Sequence, residues 1–179
     1  GVTIVTGQWD FNDGDLTASE GQDMVYLSDF ARDSTEFGST SDFDIPDFED
    51  GPGQVMFVPE ENNTRLGYVM YHGISPNGGG TRVNQYTLLM DVLVSGAGAA
   101  GIIQIDSPRW SGEGDIPNSG DSDFFWQGNN MGQGGGGYNG LGTFTPDEWH
   151  RIAFAVDLAA DPPLVTKYVD GIKQDDWVQ

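Results

Sequence analysis

The sequence predicts an all-β protein, a two-sheet antiparallel β-sandwich of the jelly-roll kind with long loops, and three observations carry that reading. From His150 onward the side chains alternate with period two. Ile152, Phe154, Val156 and Leu158 fall on one side, while Ala153, Ala155 and Asp157 fall on the other, as in a strand with one buried face. A second stretch, Lys167-Tyr168-Val169, runs into Asp170-Gly171, a dipeptide suited to the positive φ angles of a tight hairpin turn. No long segment shows the 3.6-residue apolar period of an amphipathic helix.

Taken in chain order, the expected strands are Val2–Phe11, Val55–Val58, Leu66–His72, Asn84–Val94, Gly101–Asp106, Asp123–Trp126, His150–Leu158 and Leu164–Val169. Most are rich in β-branched or aromatic residues and are bounded by turn chemistry. Asn84–Val94 carries Tyr86, Leu88, Met90, Val92 and Val94 on one face and Leu89 and Leu93 on the other, which predicts a central strand covered on both sides. Thr145-Pro146-Asp147-Glu148 matches a helix capping box with Pro at the first helical position. The alternation from Trp149 leaves room for one turn only, so the segment is expected to feed a strand.

Between these strands lie long connections. Asp29–Gly53 is acidic and polar, with Phe30, Phe37, Phe43 and Phe48 spaced through it. Ser75–Arg82, Ser107–Asp123 and Gln127–Thr143 are rich in Gly, Ser, Asn and Asp. Glycine supplies 27 of the 179 residues, roughly twice the usual share of about 7%, as many turns between short elements require. Loops of this length in a compact domain tend to be functional or mobile. No shift in composition marks a boundary, so residues 1–179 are expected to form a single domain.

Charge and composition exclude several classes. Twenty-eight acidic against seven basic residues give a net charge of −21, which repels nucleic-acid phosphates and anionic membrane surfaces. No window approaches the roughly 18 uncharged apolar residues of a membrane span. Cysteine is absent, so disulfides and thiolate metal sites are impossible. Gly134–Gly137 lacks the Lys and Ser/Thr of a phosphate-binding loop.

Several constellations could carry chemistry. Asp10, Asn12, Asp13 and Asp15 form an oxygen-rich stretch suited to a hard cation such as Ca2+. The EF-hand spacing is not met, because Asp13-Gly14 comes early and the twelfth position is Gly21; the alternative is an acidic turn. Asp42 and Asp44 would share a face in an extended segment, the arrangement a glycosidase pair needs. Pro46 fits a central strand poorly, which favours a solvated acidic loop anchored by phenylalanines. His72 stands at a predicted strand end, and His150 at the start of another. Trp110, Trp126 and Tyr138, with Asn129, border the glycine-rich loops, where rings could stack on the apolar faces of sugars and amides could bind their hydroxyls; the alternative is that the rings complete a core. Asn62 heads an Asn-Asn-Thr glycosylation triplet.

Trp149-His150-Arg151-Ile152-Ala153-Phe154 followed by Tyr168-Val169-Asp170-Gly171 resembles the strand and hairpin of laminin-G-like domains, in the concanavalin A-like lectin/glucanase superfamily. Trp9-Asp10-Phe11 and Asn84-Gln85-Tyr86-Thr87-Leu88-Leu89-Met90-Asp91 resemble its opening and central strands in bacterial extracellular members. The resemblance implies two curved antiparallel sheets, often a structural calcium, and a role in carbohydrate or protein binding on secreted or surface proteins. It also implies further strands after the hairpin, supplied by a longer protein or by another chain. Fold does not fix function. The expectation is a non-catalytic extracellular or cell-surface binding module with a glycan or surface polysaccharide as partner, using Trp110, Trp126, Tyr138, Asn129 and His72. The alternatives are a structural or adhesive subunit that self-assembles by strand exchange, and a glycosidase or polysaccharide lyase.

Overall fold

The computed structural model describes residues 3–59, 66–96, 98–103, 123–133, 142–143 and 145–178. Over these residues the chain is all-β apart from one six-residue helix. It divides into two compact units, one built on Gly1–Gly73 and the other on Ile74–Ile105 with Gly120–Gln179.

The first unit contains β1 (Val25–Tyr26), α1 (Asp29–Ser34), β2 (Glu36–Ser39), β3 (Gln54–Phe57) and β4 (Tyr68–Val69). β1 pairs with β4 and β2 with β3, each pair antiparallel. Ser28 caps the helix, its hydroxyl accepting the Ala31 N–H at 3.2 Å, and so satisfies a donor that has no partner within the helix. At the other end the Thr35 hydroxyl donates to the Ala31 carbonyl at 2.6 Å. With its one hydrogen spent there, Thr35 accepts from the Tyr68 hydroxyl, also at 2.6 Å, which ties the helix to β4. Among the described residues of this unit the buried apolar side chains are Leu16, Ala31 and Val55. Ring pairs supply further packing: Phe11–Phe37, Tyr26–Tyr68 and Phe43–Phe57, with centroids 6.0, 5.9 and 5.4 Å apart.

One expectation is corrected here. The strand expected over Val2–Phe11 is, from Thr3 on, chain without regular structure apart from a single bridge, Gln8 to Glu20, and Phe11 sits at φ 59°. Its apolar residues Ile4 and Val5 face solvent, so nothing drives them into a ladder. Asp42 and Asp44 lie in an acidic loop, as Pro46 led one to expect, and do not share the face of a strand. Ser41–Asp44 is a turn, with Asp44 at φ 53° and the Asp42 carboxylate accepting from Ser39 N–H and Oγ at 2.7 Å.

The second unit contains β5 (Gln85–Leu93), β6 (Ala99–Ile103), β7 (Phe124–Gln127), β8 (Asn130–Gln133), β9 (Trp149–Asp157), β10 (Leu164–Val169) and β11 (Ile172–Val178). They form a four-stranded sheet in the order β11-β10-β9-β5 and a three-stranded sheet in the order β6-β7-β8, antiparallel throughout. The two sheets pack face to face. Ile152, Phe154, Val156, Val165 and Val169 from one meet Phe124 and Met131 from the other. The rings of Phe124 and Phe154 stack at 4.1 Å. Each side chain so buried removes about 1.5–3 kcal/mol worth of apolar surface from water.

The period-two reading holds for Ile152, Phe154 and Val156 on β9 and for Val165, Lys167 and Val169 on β10, all buried. It fails at Leu158, which lies in the turn after β9 and is 43% exposed. Asp170 and Gly171 sit at φ 51° and 75° between the paired residues Val169 and Ile172, as a two-residue primed turn requires. Pro146-Asp147 forms the turn that leads into β9, with the Asp147 N–H donating to the Val94 carbonyl at 2.9 Å. The reading of Asn84–Val94 as a central strand is corrected. β5 ends the ladder order and buries one face only, leaving Leu89 55% exposed. Gln85, Thr87 and Asp91 share that outward face, and their polarity decides against its burial.

Lys167 follows the same alternation inward, between Val165 and Val169, and is fully buried. Its stem packs in the core while Nζ donates to the Met131 carbonyl of the facing sheet at 3.2 Å. Gln133, two residues beyond Met131 on β8, is 2% exposed, and its amide has no hydrogen-bond partner among the described residues. Burial, with Asp123 adding to it, pushes the Tyr86 hydroxyl up to about 12.

Candidate functional site

Strand register brings together a set of residues on the outer face of the four-stranded sheet. Because Ile152, Phe154 and Val156 point into the sandwich, Ala153 and Ala155 point out. Leu89 on β5 and Tyr168 on β10 flank Ala153; Thr87 and Thr166 flank Ala155. Two small side chains, Ala153 (buried) and Ala155 (half-buried), thus lie between two rows of larger ones, which makes a shallow groove along β9. Its walls stand two strand spacings apart, about 9.5 Å, and from Arg151 to Asp157 it runs about 20 Å.

Both ends of the groove are polar. At one end Arg151 makes a two-pronged ion pair with Asp91, Nε to Oδ1 at 2.7 Å and Nη2 to Oδ2 at 2.6 Å. Hydrogen bonding to Asp91 and its charge raise the guanidinium's already high pKa. At the other end Gln85 Nε2 donates to Asp157 Oδ1 at 3.0 Å. The same oxygen accepts the Ala159 and Ala160 N–H groups at 3.1 Å, which fixes the carboxylate in place. Along the β10 wall Thr166 donates to Asp176 at 2.7 Å, and Lys173 pairs with the same carboxylate. Lys173 lowers the Asp176 carboxyl first and Thr166 second.

The residues that sequence reasoning singled out are dispersed. Trp126 lies on β7 and packs half-buried against the core. Asn129, at φ 72°, forms the β7–β8 turn with Gly128. His72 is exposed in the first unit, where its carbonyl accepts the Thr6 hydroxyl at 2.6 Å. Trp110, Tyr138 and Asn62 lie outside the described residues.

In the acidic stretch Asp10 accepts the Asn12 N–H at 3.2 Å and Asp15 accepts the Thr17 N–H at 2.8 Å, while Gly14 N–H closes onto the Phe11 carbonyl at 3.0 Å. Hydrogen bonds from Thr17 hold the Asp15 carboxyl below its ordinary range. Asp13 belongs to the same bend. These contacts build the turn, and among the described residues no three acidic or histidine side chains converge on one point where a metal ion could sit. Comparison with family models, with curated proteins and with solved structures returns no match.

Proposed function

We propose that the chain is a laminin-G-like, non-catalytic carbohydrate-binding module of the cell surface or extracellular space, and that its site is the groove over β9. The observation that supports this reading is the combination along that groove: an alanine floor, a tyrosine on one wall, and a fixed carboxylate with a planar amide or guanidinium at either end. A sugar ring presents apolar C–H faces and a rim of hydroxyls. The floor and the Tyr168 ring suit the faces, and the end groups suit the hydroxyls. A net charge of −21 works against uronate-rich or sulfated chains, so the ligand class is a neutral oligosaccharide.

Glycan-array binding followed by titration tests this. Tyr168→Ala is expected to weaken binding about ten-fold or more, equivalent to about 1.4 kcal/mol. Ala155→Leu, which fills the floor, should do the same with the circular-dichroism spectrum retained. An array on which the wild-type chain binds nothing, or a profile that neither substitution alters, rejects the reading.

A further inference from the structure

The two edges of the four-stranded sheet are built differently. β11 carries Lys173 and Asp176, and its ladder with β10 is broken by a register shift between Lys167 and Tyr168. Charges and bulges of this sort keep an edge from accepting another strand. β5 has neither protection. Its nine residues, Gln-Tyr-Thr-Leu-Leu-Met-Asp-Val-Leu, contain no Lys or Pro, and their register with β9 is unbroken from Gln85 to Leu93. Leu158 N–H donates to the Asn84 carbonyl and Asp147 N–H to the Val94 carbonyl. Even-numbered residues therefore aim their main-chain groups at β9, and odd-numbered ones aim theirs away. Those of Gln85 are taken by the Asn77 side chain, whose Oδ1 accepts the Gln85 N–H and whose Nδ2 donates to the Gln85 carbonyl, both at 2.7 Å. That leaves Thr87, Leu89, Asp91 and Leu93. No strand among the described residues takes up that second side.

We infer that β5 is a self-association edge, at which two copies of this chain pair antiparallel about a two-fold axis at Leu89 and join two four-stranded sheets into one. The sequence of β5 is self-complementary about that point. Leu89 meets the partner's Leu89 and Thr87 meets the partner's Asp91, and the paired span stops short of Gln85, whose main-chain groups Asn77 holds. On the inner face Leu88 meets the partner's Met90 and Tyr86 the partner's Val92. No like charges face each other. The edge's single carboxylate, Asp91, is already neutralised by Arg151, so β5 is locally close to neutral in a chain of net charge −21. A pairing that uses the same face on both copies closes at two. The inference is independent of what the groove binds.

Sedimentation velocity over a dilution series, at low and at high sodium chloride, tests it. A monomer–dimer equilibrium is expected, with salt favouring the dimer by screening the overall repulsion. Leu89→Lys sets two like charges across the axis and should weaken association at least about ten-fold, whereas Ile172→Lys at the other edge, a residue 67% exposed, should leave it unchanged. The chain has no cysteine, so Leu89→Cys introduces a single thiol. Directly opposed hydrogen-bonded residues have Cα atoms about 5.5 Å apart, within disulfide reach. Mild oxidation should therefore give a covalent dimer for Leu89→Cys and not for Ile172→Cys. A wild-type chain that stays monomeric under every condition, a dimer indifferent to Leu89→Lys, or an open-ended series of oligomers overturns the inference.

Discussion

In the second unit two ladders of the four-stranded sheet meet on a nine-residue strand, β9, whose inner face holds Ile152, Phe154 and Val156 in one continuous core. In the first unit the paired strands are two to four residues long, and much of the chain is held by bonds that close over short distances. Ser28 caps its own helix, Asp42 binds Ser39, Asp15 binds Thr17, and Asp10 binds Asn12. The difference is one of cooperativity. A core shared by two sheets makes each buried side chain depend on many others, whereas a series of local closures limits what any one residue can cost.

The largest expected effect follows directly. Phe154→Ala removes a fully buried ring stacked on Phe124 and should destabilise the second unit by about 3–5 kcal/mol. Phe43→Ala in the first unit removes a half-buried ring stacked on Phe57. Only part of the ring's transfer energy, about 1–2 kcal/mol, is then at stake. Denaturant midpoints of the two variants measure the difference, and equal costs would break the comparison.

The same contrast governs how far the sequence could be read. β9, β10 and the turn that follows β10 were legible because nine alternating residues and an Asp-Gly pair each carry a plain local signal. α1 was not: six residues are too few to display a 3.6-residue period, and Ala31 stands where a capping box would place Glu or Gln. β8 was obscured by Gly132, which reads as loop. A Cβ there would lie 2.2 Å from the Phe125 ring, so glycine serves the approach of that ring. For the candidate site, Ala153 and Ala155 could be seen to alternate, but the walls of their groove come from β5, more than 60 residues upstream, and from β10. Only register brings them together. Aromatic composition misled in the opposite way, since nothing local separates Trp126, whose ring packs against the core, from a ring on a binding rim.

A smaller effect sharpens the comparison from the side of the first unit. Ser28→Ala removes the helix cap and should cost about 1 kcal/mol. Hydrogen exchange is the appropriate measurement: the Ala31 amide should exchange faster, while amides of β9 and β10 keep their wild-type rates. A uniform change across both units would mean that they unfold together.

The smallest expected effect concerns the turn that closes β10 onto β11. His150 Nδ1 lies 2.8 Å from Asp170 Oδ2 and Nε2 lies 3.0 Å from the Thr145 carbonyl, while Asp170 Oδ1 accepts the Arg151 N–H at 2.9 Å. Burial pushes the Asp170 carboxyl up, but the hydrogen bond from His150, the one from Arg151 and the His150 charge together hold it below the usual carboxylate range. A carboxyl depressed in the folded state stabilises above its unfolded value, about 3.9, and loses that contribution as pH falls through the folded value. Asp170→Asn keeps the turn, because Asn also tolerates positive φ, and removes the charge. Asp170 is half exposed, so at about pH 6 the variant should be less stable by under about 1 kcal/mol. Denaturant midpoints measured from about pH 6 down to about pH 3 should converge for the two proteins as the wild-type carboxyl becomes protonated. In the first unit Asp42 is also held low, by hydrogen bonds from Ser39, but it is fully exposed and closes only its own turn. A pH-dependent gap as large for Asp42→Asn as for Asp170→Asn would show that tying two strands of a shared sheet together adds nothing beyond a local closure.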